Sequence, residues 1–121
     1  MIINMTNHPS TIWSREQRTE AEKYGEILDM PFPVVPPDMG EEGVSDMAET
    51  FLRQILPLHP DAVLCQGEMT LTYALVSRLA AQGIPVLAAC SDRITEETAE
   101  PDGSIRRVSR FVFTRFRQYR P

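Results

Sequence analysis

Apolar residues fall in short blocks along the chain, separated by polar, glycine- or proline-bearing stretches, and the period within the blocks alternates between that of a strand and that of a helix. Ile2–Met5 is an apolar run that predicts a first strand, ending in the polar loop Thr6-Asn7-His8-Pro9-Ser10. Ser14 and Gln17 are spaced as a capping box, predicting a helix over 15–24 with Trp13 beneath its first turn and Gly25 as its stop. Residues 26–30 form a second strand, placed at an edge because it keeps two charges. The proline-rich segment 31–37 suits neither a helix nor a central strand and predicts an extended loop.

Ser45 or Asp46 is the expected cap of the next helix, in which Met47, Phe51, Ile55 and Leu58 repeat at intervals of four and three. Asp61–Cys65 then reads as a third strand. Gln66-Gly67-Glu68 leads into a third helix with Leu71, Leu75 and Leu79 on its buried face and Gly83 as its stop. Residues 84–90 are apolar without alternation, as in a parallel strand covered on both sides. Two further runs, 93–100 and 104–118, flank the turn signal Pro101-Asp102-Gly103 and predict an antiparallel hairpin. The expected fold class is therefore α/β: a Rossmann-like three-layer arrangement, with a mostly parallel sheet of order 2-1-3-4 and a C-terminal β-hairpin.

In such a sheet the binding crevice lies beyond the carboxyl ends of the strands, where the strand order reverses. That rule selects the loops after the first, third and fourth strands. Asn7, His8 and Ser10 come from the first; Gln66, Gly67, Glu68 and Thr70 from the second; Ser91 and Arg93 from the last. An imidazole titrates near neutrality and suits proton transfer, and the start of a helix after a glycine attracts anions. Each also has a plainer reading: His8 as a loop residue bonded locally, Glu68 as a favourable charge at the helix start, and Arg93 as the ion-pair partner of Asp92 or Glu96. Neither a G-x-G-x-x-G fingerprint nor a P-loop is present, no residues have metal spacing, and no G-x-S-x-G elbow supports a triad.

Composition refines this picture. The 121 residues, 42% hydrophobic and 24% charged, suit one soluble globular domain rather than two, and neither a membrane span nor a signal sequence is expected, which points to the cytoplasm. Cys65 and Cys90 are expected as buried free thiols. The net charge of −5 is divided unevenly: residues 1–105 carry 17 acids against six bases, and six arginines with no acid follow. An acidic body argues against a protein that coats long nucleic acid.

Three segments carry a resemblance: Asn4–Ser10 with Trp13-Ser14 and Glu16-Gln17; Asp61–Glu68; and Ala88–Arg93. They resemble the small single-domain proteins of type III CRISPR systems related to CARF domains, the Rossmann-like sensors of cyclic oligoadenylate, some of which are ring nucleases. The resemblance spans nearly the whole chain and implies one CARF-like domain over residues 1–121, a homodimer, and cyclic oligoadenylate as the ligand. Cleavage of that ring needs neither cofactor nor metal, because a ribose 2′-hydroxyl can attack its own phosphodiester. On this reading Asn7, the Gly67 amides and Arg93 hold the phosphate, with Ser10, Gln66, Thr70 and Ser91 around it. His8 manages the proton, and Glu68 is the second candidate for catalysis. Three other readings stay open: a sensor or sponge that binds without cleaving, an interaction subunit docking through its Arg-rich hairpin, and an unrelated enzyme acting on a phosphorylated metabolite.

Overall fold

The computed structural model describes residues 1–121 and places β1 (Ile2–Thr6) inside a five-stranded mixed sheet of order β2-β1-β3-β4-β5, one strand in from the β2 edge. Every residue of β1 is buried, which is why this run shows no polar alternation. It pairs in parallel with β2 (Ile27–Asp29) on one side and β3 (Ala62–Gln66) on the other, and β3 pairs in parallel with β4 (Val86–Ala99). β5 (Ile105–Gln118) is antiparallel to β4.

The helices divide between the two faces. α2 (Glu41–Ile55) and α3 (Met69–Ala81) cover one, where Val44, Ala48, Leu52, Leu71, Leu75 and Leu79 meet Ile3, Met5, Val63 and Cys65. α1 (Arg15–Glu22) covers the other, where Ala21 meets Ile2, Ala62, Leu64 and Leu87. Arg78 of α3 ties the helix pair together, donating to Glu49 at 2.7 Å and to the Ser45 hydroxyl at 2.7 Å.

α1 is capped as expected, with the Ser14 hydroxyl accepting the Gln17 amide, and Gly25 at φ +101° provides the left-handed turn after it. Four expectations are corrected. α2 starts at Glu41 behind Gly40, so Ser45 lies inside the helix and receives Arg78 instead of capping. Glu41 and Glu42 in the first turn favour the earlier start, and a Cβ at Gly43 would lie 2.6 Å from the Met39 side chain, which would have to move to admit it. The buried stripe is accordingly Val44, Ala48, Leu52 and Ile55, with Met47 and Phe51 at its margin.

The fourth strand does not end at Cys90. It runs unbroken to Ala99, because no glycine or proline interrupts 86–99 and β5 supplies a partner for the whole length, with a register shift between Cys90 and Ser91. Ser91 and Arg93 thus lie within a strand, not in a loop. Cys90, expected to be buried, is half-buried, whereas Cys65 is fully buried; both thiols are free.

Phe32, from the proline-rich segment, folds onto the α2–α3 face and packs where a Cβ on Gly67 would come within 2.4 Å of its ring. This contact, more than any ligand, requires glycine at 67. No helix is long and apolar enough to cross a membrane.

Leu75 is fully buried at the centre of the larger core. Leu75→Ala should lower the unfolding free energy by about 2–5 kcal/mol in urea titration, the range for an incompletely collapsing cavity.

Candidate functional site

A cleft of about 590 Å³ opens at the carboxyl ends of β1 and β3, beside Ala89 and Ser91 in the first half of β4, on the α1 side of the sheet. Its floor is Leu64 and Ala89; Trp13, Phe111 and Phe113 stand around it as aromatic walls, and Asn7, His8, Gln17 and Ser91 bring polar groups to it. The volume lies within the usual range for a small-molecule site, as does the mix of apolar surface with a few placed polar groups.

The loop bearing Asn7 and His8 is held by a buried polar node. Asn4, 2% exposed, donates through Nδ2 to the His8 carbonyl at 2.9 Å and to Asp29 Oδ1 at 2.9 Å, while its Oδ1 accepts the Thr6 hydroxyl at 2.8 Å. Asp29, at the end of β2, also accepts the Ser10 hydroxyl at 2.9 Å and the Ser10 amide. The Trp13 indole donates to the same His8 carbonyl at 3.1 Å, and Arg18 donates to the Ser10 carbonyl. The His8 backbone is therefore fixed while its side chain remains exposed at the cleft. Burial pushes the Asp29 carboxyl up, but hydrogen bonds from Asn4 and Ser10, with the Arg18 charge, outweigh it and hold the group below its ordinary 3.8.

Five of the nine sequence-selected residues line the cleft: Asn7, His8, Gln66, Gly67 and Ser91. Two of these also have structural work. The Gln66 side chain bridges to Ala89, accepting its amide at 2.8 Å and donating to its carbonyl at 3.3 Å, where the β3–β4 ladder has ended. The Gly67 amide donates to the Thr72 hydroxyl at 3.1 Å.

The other four lie outside the lining. Ser10 is buried against Asp29. Glu68 caps α3, accepting the Thr70 hydroxyl at 2.6 Å and the amides of Leu71 at 2.9 Å and Thr70 at 3.0 Å, and these bonds hold its carboxyl below the ordinary glutamate range. Thr70 is thereby committed to Glu68. Arg93 pairs cross-strand with Phe111, so it shares the cleft's face of β4–β5 without lining the cleft itself.

The aromatic walls were the unread part of the site. Phe111 and Phe113 share one face of the last strand by alternation, but only the antiparallel register brings that face opposite α1 and Trp13. Cys65 is unsuited to nucleophilic work, since burial pushes its thiol up to about 12.

A family profile described as the Uncharacterized protein MJ1673 family matches residues 1–117. No curated protein and no solved structure is matched.

Two outcomes test the polar node. Asn4→Leu removes one donor each from the His8 carbonyl and Asp29 Oδ1 and takes the Asn4 acceptor from the Thr6 hydroxyl, and should cost about 1–3 kcal/mol in urea unfolding. Because the folded Asp29 carboxyl titrates lower than the unfolded one, its contribution is present above the ordinary value of 3.8 and is lost as pH falls through the folded value. The stability gap between wild type and Asp29→Asn should therefore be flat near neutrality and close in strongly acidic buffer.

Proposed function

The chain belongs to the Uncharacterized protein MJ1673 family, and we propose that it is a Rossmann-like, CARF-related ring nuclease that binds and cleaves cyclic oligoadenylate and so switches off type III CRISPR signalling. The observation that carries this reading is the cleft itself: three aromatic side chains, Trp13, Phe111 and Phe113, beside Asn7 and His8 at the point where strand order reverses. Aromatic faces stack bases, amide side chains hold phosphate oxygens, and an exposed imidazole moves protons. Few other ligand classes ask for all three in one place.

A ring of several adenylates exceeds a cleft of about 590 Å³. A two-fold pair of chains would present two clefts to one ring, which suits an isologous homodimer. No arginine or lysine lines the cleft, so Asn7, Ser91 and the loop amides meet the phosphate at close range. Arg93 supplies positive charge from the neighbouring stretch of β4, on the cleft's face.

Cleavage is an internal transesterification. The ribose 2′-oxygen forms a bond to phosphorus, the bond to the 5′-oxygen breaks, and the products are a 2′,3′-cyclic phosphate and a 5′-hydroxyl. One proton leaves the 2′-hydroxyl and one reaches the departing 5′-oxygen, so no redox partner is required. The protein's tasks are to hold the 2′-oxygen in line, to receive phosphorane charge and to manage the proton. Asn7 and Ser91 suit the first two and His8 the third. Glu68 is the weaker candidate, because its carboxylate is already occupied by three donors.

Incubation with cyclic oligoadenylates of several ring sizes, followed by product analysis, tests the reading. Linear products ending in 2′,3′-cyclic phosphate are expected, and His8→Ala should lose about 10²–10⁴-fold in single-turnover rate with little change in affinity. Trp13→Ala should instead weaken binding, by about 1–3 kcal/mol for one lost stack. Binding without products would leave a sensor, and absence of binding would overturn the proposal.

A further inference from the structure

Ser14 and Gln17 have the spacing of a capping box, but only half of the box is made. The Ser14 hydroxyl accepts the Gln17 amide at 3.2 Å. In a complete box the glutamine side chain would also accept the backbone amide of the cap residue. Gln17 makes no such bond, and its carboxamide has no hydrogen-bond partner elsewhere in the chain. The side chain is half-buried and lines the cleft instead, in one wall with Trp13 and Ser14.

Two other carboxamides line the cleft, and each is placed differently. Gln66 spends its oxygen and its nitrogen on Ala89. Asn7 is exposed on the loop beside His8, where the reacting phosphate would lie. Gln17 alone is half-buried with donor and acceptor both open. Beside it the Trp13 indole is held in place, its Nε1 donating to the His8 carbonyl at 3.1 Å. A base stacked on that indole would lie against the wall that bears Gln17.

No Asp, Glu, Lys or Arg lines the cleft. That restricts which base edge it could read. Guanine presents two adjacent acceptors, O6 and N7, which call for Arg or Lys, and the cytosine amine calls for a carboxylate. Adenine presents its 6-amino donor beside a ring-nitrogen acceptor, a pattern that one carboxamide matches with both of its groups. Uracil offers a matching N3–H and O4, but only a single ring to stack on the indole.

We infer that Gln17 selects adenine, its carboxamide oxygen accepting from the 6-amino group and its nitrogen donating to the neighbouring ring nitrogen while Trp13 stacks the base. The assignment rests on the nucleotide reading given above and adds a specificity-determining residue that takes no part in cleavage. A base lacking the 6-amino group would leave the Gln17 oxygen shut away from water without a donor, which is how a site built for a hydrogen bond rejects the analogue that cannot make it.

Trp13 is the chain's single tryptophan, so its fluorescence reports on this cleft directly. The experiment titrates the protein with adenosine 5′-monophosphate, with purine riboside 5′-monophosphate, which lacks only the 6-amino group, and with uridine 5′-monophosphate. Wild type should bind the adenosine nucleotide about tenfold more tightly than the other two. Gln17→Leu should bind the adenosine and purine nucleotides equally. The comparison within wild type needs no variant, so a folding defect in Gln17→Leu would not shelter the inference. No fluorescence response to adenosine monophosphate, equal affinity for the three nucleotides, or a preference that survives Gln17→Leu would each overturn it. So would loss of the preference in Asn7→Leu but not in Gln17→Leu. Cleavage of cyclic oligoadenylate alongside any of these results would leave the ring-nuclease proposal standing without Gln17. A preference abolished by Gln17→Leu, in a protein that neither binds nor cleaves any ring, would keep Gln17 and end that proposal.

Discussion

The hydrogen bonds of Asn4 hold together the end of the molecule where chemistry can occur. A buried amide in the centre of the most buried strand is costly unless fully paired, and here each of its polar groups has a partner. Those partners are the crevice loop, the neighbouring strand β2 and the strand's own Thr6. The consequence is that the His8 carbonyl, accepting from Asn4, Thr6 and Trp13, is among the most constrained points of the loop while the imidazole faces open space. Rigid backbone with a free side chain is the arrangement a proton-transferring residue needs.

Several residues that look chemical are spent on this scaffolding. Ser10 and Asp29 answer each other, Glu68 and Thr70 finish α3, and Gln66 replaces the backbone ladder between β3 and β4 at the place where the strands part. Gln66 makes the last tie between the two strands, and beyond it β4 carries on with β5 as its only strand partner, in a two-stranded arm. The same parting leaves the gap that Ser91, Phe111 and Phe113 line. Cleft and arm are two consequences of one early end to a parallel ladder.

The arm's charge is largely settled within itself. Glu97 pairs with Arg107 at 2.8 Å and Glu96 with Arg110 at 3.3 Å, both solvent-exposed pairs worth little to stability. Their role is better understood as keeping a long, two-faced ribbon from pairing indiscriminately through its edges, the usual service of charge on an edge strand.

The strand and helix sequence was legible because its causes are local: periodicity for β1, β3 and α3, the Ser14 cap for α1, left-handed glycine after it, and a turn signal at Pro101-Asp102-Gly103. The order of the parallel strands followed from connection rules, and the switch point located Asn7, His8, Gln66, Gly67 and Ser91 at the cleft. Other features depended on partners distant in sequence. Asp29 became a ligand of Ser10 only when β2 settled beside β1, and Gly67 was dictated by Phe32, thirty-five residues away. β4 ran through Arg93 because β5 was there to pair with it, and Trp13 came to line one cleft with Phe111 and Phe113 only in the finished sheet. Sequence determines what a residue can do through its chemistry and its near neighbours. Which of those capacities is used up in holding the fold, and which is left facing the cleft, was decided by tertiary contacts, because a hydrogen-bonding group spent on one partner is withdrawn from every other.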